Sequence, residues 1–317
     1  MKKLFVPVLI FCMALFLVSC KSNAKDTVSD KNKLQVYVSF NALYEFASAV
    51  GQDKAEIYTI IPTGAEPHDF EPKAADIAGL SEASLFVYNG LGMEPWAEKA
   101  IDAAQNNALT VITASEGTNV IENAEDEHEE DEHEEDEHEE DEHGHEHGPY
   151  DPHTWLSLKE AKTIVQNIAD GFSTANPENK DFYQTNAANY IRELDDIYNE
   201  YNDKFAALDN KYFVTGHAAF NYFCRDFGLE QNSVEDVFAE GEPSPQQLAK
   251  LVEYCRERKI TTIFAEEMAS PEVSKTLANE VGAEIQTIYT MESPEDDLSY
   301  LERIRENCER VYNSLAK

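Results

Sequence analysis

Cationic side chains are scarce in this chain: 25 Lys and Arg stand against 62 Asp and Glu, and the formal charge is −37. Phosphate binding needs basic stripes, and none is visible, so nucleic acid is excluded as a partner. Cysteine is equally sparse. Of the five, Cys12 and Cys20 fall in the first twenty residues. The remaining Cys224, Cys255 and Cys308 make neither a disulfide scaffold nor a CxxC metal site, so soft thiolate chemistry is not expected. Past the first twenty residues no segment is apolar for long enough to cross a membrane. No HExxH or comparable zinc-hydrolase motif occurs either.

The one apolar run that is present lies at the start. Lys2 and Lys3 precede Leu4 to Val18, shorter than the roughly 20 residues of a spanning helix, and Ser19 and Cys20 follow. LVSC resembles a bacterial lipobox. In that reading residues 1–20 are a lipoprotein signal peptide, Cys20 becomes the acylated N-terminus, and residues 21–33 (KSNAKDTVSDKNK) are a flexible polar leash. Two or more acyl chains anchor stably where one does not. The alternatives are a plain secretory signal or an N-terminal anchor helix.

Histidine is distributed unevenly. Six of nine lie between residues 122 and 148, where His128, His133, His138 and His143 recur every five residues and His145 and His147 follow. Seventeen carboxylates share the segment with no Lys or Arg. On a helix a step of five advances about 140°, so successive imidazoles would not share a face and no prebuilt ligand pair results. Mutual repulsion and the near absence of apolar residues mark a disordered, solvated tether. It serves either as a charged spacer or, the reading favoured by the regular histidines, as a weak multivalent metal trap, since imidazole is mostly neutral above about pH 6.5.

Elsewhere β-rich and helical runs alternate. LQVYVSF (34–40), AEIYTIIP (55–62), LFVYNG (85–90) and LTVITAS (109–115) are each followed by a helical pattern or, in the last case, by the tether. The rhythm restarts with KYFVTGH (211–217), QNSVEDVFA (231–239), TTIFAEE (261–267) and EIQTIY (284–289), each again followed by a helical stretch. This is the order of an α/β protein with parallel sheets in two (β/α) lobes. Roughly 285 residues past the leader and the leash exceed one typical core and agree with two. Between the lobes, Pro177 opens a run to Leu208 with apolar or aromatic residues near helical spacing from Phe182 to Phe205. At 1.5 Å per residue this single helix is on the order of 45 Å long, a rigid strut. The expected division is an N-terminal lobe over 34–176, the linking helix over 177–208 and a C-terminal lobe over 209–317.

The other three histidines are isolated. His68 lies in PTGAEPHDFEP past the second strand, His153 in DPHTWLS after the tether, and His217 ends KYFVTGH. In open parallel sheets ligands bind beyond the carboxyl ends of the strands. Any one of these could be a structural, hydrogen-bonded histidine, but three at such positions point to a metal site.

GAEPHDFEP, DPHTWL and GHAAFNYF, with the acidic His-rich insertion between the first two, resemble the motifs of zinc-uptake solute-binding lipoproteins of ABC transporters, the ZnuA/AdcA-like cluster A-I family. The resemblance runs from Leu34 to the C-terminus. It implies one metal ion in the interlobe cleft, held by His68, His153 and His217, with Zn²⁺ as the transported ligand. His217 stands where manganese relatives tend to place Glu, and imidazole suits zinc better than manganese. For the fourth ligand, many relatives use an Asp from the last lobe; here IYTMES offers Glu292, with water or Glu66 as alternatives. The family also implies a monomer outside the cytoplasm, lipid-anchored at the membrane or facing the periplasm, whose partners are a cognate ABC permease and ATPase. Some zinc-binding relatives carry a disulfide at positions comparable to Cys255 and Cys308; three buried free thiols are the alternative here. A manganese-binding homologue, a surface metallohydrolase with an open zinc position, and an adhesin are the rival functions. The second lacks a recognisable general base, and the third leaves the histidines unexplained.

Overall fold

The computed structural model describes residues 33–123, 148–237, 244–266, 271–294 and 296–317. The leader with Cys20 and the tether histidines His128, His133, His138, His143, His145 and His147 lie outside the described residues. Asn32–Lys317 forms one compact unit.

Eight short strands form two four-stranded parallel sheets. The first pairs β1 (Leu34–Val38), β2 (Ala55–Thr59), β3 (Leu85–Tyr88) and β4 (Thr110–Thr113) in the order β2-β1-β3-β4. The second pairs β5 (Tyr212–Thr215), β6 (Glu230–Ser233), β7 (Thr262–Ala265) and β8 (Glu284–Thr287) in the order β6-β5-β7-β8. Both orders place the first strand inside and reverse direction beside it, the arrangement that opens a crevice at the carboxyl ends of the strands. Within each sheet Val, Ile and Phe supply buried positions such as Val36, Val38, Phe86, Val87, Val214, Ile263 and Phe264, as strands covered on both faces require. This is the α/β architecture expected from the sequence. Each strand stops short of the apolar run that announces it. Ile60 and Ile61 after β2, and Ile288 and Tyr289 after β8, are buried but belong to loops that carry the site.

Helices follow the strands: α1 (Asn41–Gly51), α2 (Ala74–Glu82) and α3 (Ala97–Ala104) in the first half, α6 (Asn221–Phe227), α7 (Pro245–Glu257), α8 (Pro271–Val281) and α9 (Tyr300–Leu315) in the second. The last begins later than its periodicity implies. Ser299 caps it, its hydroxyl accepting from Glu302 N while the Glu302 side chain accepts from Ser299 N, which satisfies two of the otherwise orphaned end donors.

Two long helices lie between the sheets in sequence. In α4 (Leu158–Ala175), Ser157 caps the N-terminus by accepting from Lys159 N and Glu160 N, and Leu158, Ala161, Ile164, Val165, Ile168, Ala169 and Phe172 form a buried stripe. After a 3-10 turn at Pro177–Asn179, α5 (Lys180–Ala206) runs 27 residues and buries Tyr183, Ala187, Leu194, Ile197, Tyr201 and Phe205. It packs on α1 and α4 on one side of the molecule and on α6 and α9 on the other. One apolar cluster therefore extends from Val36 and Phe46 through Phe172 and Tyr183 to Phe213, Phe264 and Ile304. A smaller cluster around Val214, Leu251, Ile263 and Leu277 lies beneath α7 and α8.

Of the two alternatives for Cys255 and Cys308, the bridge is not formed. Both thiols, and Cys224, are free and buried. Cys255 belongs to the smaller cluster and Cys308 to the larger, so placing both in the C-terminal half does not bring them together.

Candidate metal centre

His68, His153 and His217 converge. Each is buried, and one donor atom from each lies within 4.8 Å of the others. Their ring centroids are 5.3 Å apart for His68 and His153, 5.8 Å for His68 and His217, and 4.8 Å for His153 and His217. The three come from different parts of the chain: His68 from the loop after β2, His153 from the turn before α4, and His217 from the loop after β5. Glu292, after β8, lies beside them, with Oε1 3.5 Å from His153 Nε2. That oxygen is buried and makes no hydrogen bond, while Thr290 donates its hydroxyl to Oε2 at 3.1 Å. A buried carboxylate oxygen whose one partner is a long ion pair to an imidazole is poorly satisfied in a protein interior, and a cation would satisfy it better. Of the other fourth-ligand candidates, Glu66 accepts from His68 N at 3.4 Å. Burial first, and then the charge of Glu292, push its carboxyl upward, so it is the less ready anion.

His153 is the most tightly held of the three. Asp151 Oδ1 accepts both its backbone N–H, at 2.9 Å, and its ring Nδ1, at 2.8 Å. Asp151 is itself fixed by Asn221, which donates to Oδ2 at 3.0 Å, and by Tyr222, which donates to its carbonyl at 2.6 Å. Such a carboxylate sets the tautomer, keeping the proton on Nδ1 and turning the Nε2 lone pair toward the metal position. Burial alone would depress this imidazole. Asp151 and Glu292 outweigh it and push His153 up to about 9, so a proton competes with a cation for Nε2.

At His217 the constraint is different. Its ring Nε2 lies 2.9 Å from the Val237 carbonyl. A carbonyl only accepts, so Nε2 carries the hydrogen and Nδ1 keeps the lone pair. Its backbone is clamped as well: Thr215 and Gln231 donate to its carbonyl at 2.6 and 3.1 Å, and Glu266 Oε1 accepts its N–H at 3.2 Å. Burial and then the positive His153 depress His217 below the usual imidazole range. Glu266 is buried among these groups, and burial pushes it up to about 8. A Cβ at Gly216 would meet Glu266 Oε2 and force that carboxylate to move.

Glu292 is presented by an unusual backbone. Met291 has φ 63° and is fully buried, a left-handed conformation that costs a non-glycine residue about 1–2 kcal/mol. Neighbours hold it there. Asn41 donates its backbone N–H to Glu292 O at 3.2 Å, and Gly64 N donates to Ser293 Oγ at 2.9 Å. Trp155 Nε1 donates to Thr290 O at 2.8 Å. Asn41 opens α1 and Gly64 lies in the loop after β2, so these bonds tie the two halves together around the site. Asp151, Glu266 and the Thr290–Ser293 clamp were not among the residues singled out from sequence. Asp151 carries a readable signal, two residues before a candidate histidine in DPH; Glu266 carries none.

Two sheets with their strand ends facing one cleft, bridged by a long helix and supplying three imidazoles and a carboxylate, define a metal-binding solute-binding protein. Comparison with known proteins agrees. The family described as zinc-uptake complex component A, periplasmic, matches residues 36–314, and the chain belongs to it. The chain is similar to the high-affinity zinc uptake system protein ZnuA of Bacillus subtilis, with 36% identity over 310 residues covering 96% of this chain and 95% of that protein. It is also similar, at 30% identity over the full length of both, to the manganese ABC transporter substrate-binding lipoprotein PsaA of Streptococcus pneumoniae serotype 4. Among solved structures, a Zn(II)-bound variant of Streptococcus pneumoniae AdcAII superposes with a TM-score of 0.78 at 32% identity, covering 90% of this chain and 99% of that one.

Proposed function

We propose that the protein is the high-affinity extracytoplasmic zinc-binding component of an ABC uptake system, anchored through Cys20, and that it delivers Zn²⁺ to a membrane permease driven by its ATPase. The observation that carries this reading is the buried trio His68, His153 and His217 with the buried Oε1 of Glu292 beside it. Three nitrogens and one carboxylate oxygen make a tetrahedral set suited to Zn²⁺. Two carboxylates balance the dication, Glu292 directly and Asp151 through His153.

In this scheme an arriving ion displaces the proton from His153, and Glu292 is the anion already in place. Because the ligands come from loops of both sheets, separating the two halves would pull the set apart. Loading and closure are then one equilibrium, driven only by the difference in affinity between the two arrangements. The acidic segment 122–148 would raise the local ion concentration by weak multivalent binding.

A manganese role is the second reading, favoured by the likeness to the manganese lipoprotein. His217 favours zinc, because a third imidazole is softer than the oxygen donor manganese prefers. Metal analysis of protein purified without added metal, followed by chelator competition with both ions, is the test. Tighter binding of Mn²⁺ than of Zn²⁺ would overturn the assignment.

A further inference from the structure

Two cavities reach residues of the metal centre from different sides. One, of about 410 Å³, lies between α1, the loop after β2 and the segment leading into α9; its walls include Glu45, Thr59, Thr63, Asp297, Arg303 and Glu292. The other, of about 310 Å³, ends at His68 and is walled by Phe70, Pro72, Pro95 and Trp96, with Asp69, Glu71 and Lys99 also lining it.

Their chemistry differs in the respect that matters to a hydrated dication. Among the described residues that line the first, the one cation is Arg303, which donates to Asp296 from Nε to Oδ1 at 3.1 Å and from Nη2 to the carbonyl at 3.1 Å, while its Nη1 makes no hydrogen bond. Glu45, which also feels the charge of Arg303, lines the cavity together with Asp296, Asp297 and Glu292, so four carboxylates face one cation. In the second, aromatic and proline walls would strip water without replacing it, and Lys99 repels a cation. At roughly 30 Å³ per water, the first cavity has space for an ion with its inner hydration shell. Glu292 lines this cavity, and its buried Oε1 lies 3.5 Å from His153 Nε2.

We infer that the Glu292 cavity is the route by which the metal ion reaches and leaves the histidines, with Glu45 and Asp297 drawing the hydrated cation in and Glu292 receiving it as it sheds water. A negatively lined cleft with low-dielectric walls concentrates cations in this way and raises their association rate. The route presupposes the metal site proposed above, and the rates below are therefore read with both Zn²⁺ and Mn²⁺, so that a wrong choice of metal leaves the route itself testable.

The test is stopped-flow exchange against a chromophoric chelator. Thr59 and Thr63 are exposed on the cavity wall, so the double variant Thr59→Trp/Thr63→Trp should obstruct it while keeping the fold, checked by circular dichroism. An obstruction raises the barrier and leaves the end states alone. Association and dissociation should both slow by at least about fivefold, with Kd within about twofold of wild type. Lys99→Trp, in the other cavity, should change neither rate. Separately, Glu45→Gln/Asp297→Asn should slow association by about three- to tenfold at low salt, and the gap should close near 0.5 M salt, where screening shortens to a few ångströms. Unchanged rates in the tryptophan pair, a slowing by Lys99→Trp in its place, or a salt-independent deficit in the charge pair would each overturn the route.

Discussion

Asp151→Asn tests how the metal and a proton compete for His153. The wild-type carboxylate does two opposing things: it orients the imidazole through bonds of 2.8 and 2.9 Å, and it helps push that imidazole up to about 9 against the effect of burial. At pH 7 a group titrating near 9 is about 99% protonated, so wild-type zinc binding is weakened about 100-fold, roughly 3 kcal/mol, by the proton it must expel. Losing the orienting partner of a metal-bound histidine typically weakens binding 10- to 100-fold. Asn keeps the size but removes the charge. The variant therefore loses orientation while escaping part of the proton competition. Measured with metal buffered by a competing chelator, the deficit should be small at pH 7 and should widen by at least about tenfold at pH 9.5, where most of the wild-type proton is gone. A deficit of equal size at both values would mean that His153 is already neutral in the metal-free protein, and the reasoning would fail. The linkage has a definite sign for stability too. With His153 raised above its unfolded value, its contribution to the metal-free fold is fully present below about pH 6.5 and is lost as pH rises through about 9, the window in which zinc affinity grows.

His68→Ala or His217→Ala should each weaken Zn²⁺ by orders of magnitude with the fold retained, and Glu292→Ala by less because water can occupy its place; near-wild-type affinity in both histidine variants by chelator competition would dissolve the constellation. Gly216→Ala forces Glu266 away from the His217 N–H and should lower both the thermal midpoint and zinc affinity, the second by about tenfold on the precedent of other supporting bonds; an unchanged affinity would show that this clamp does not set His217. Deleting residues 122–148 should leave one tight zinc event in calorimetry and remove the weaker ones, which in wild type should disappear as pH falls through about 6.5; loss of the tight event would place the primary site in the tether.

The fold was legible because its strands and helices are local statements. A run such as LFVY bounded by Asn89 and Gly90, or Ser299 followed three residues later by Glu302, declares an element without reference to anything distant. The three isolated histidines were legible for a related reason: each follows a strand or precedes a capped helix, so a parallel topology alone sends them to one edge. What could not be read was whatever depends on two remote loops meeting. Glu266 gains its role only because β7 lies beside β5, and the conformation of Met291 is imposed by Asn41 at the start of α1. The separation of Cys255 from Cys308 is of the same kind. Periodicity assigns both to helices of one half, and only packing reveals that they face different clusters.

Trp155 gives the protein its own optical reporter. The chain has two tryptophans, and the Trp155 ring centroid lies 5.1 Å from that of His153, fully buried, with its indole N–H bonded to Thr290 O. A protonated imidazole quenches indole emission at such range, whereas a neutral one does so far less. Expelling the His153 proton should therefore brighten the protein, and parting the Trp155–Thr290 bond should shift its colour. Loading and opening would then be separable in a single emission spectrum, without a label.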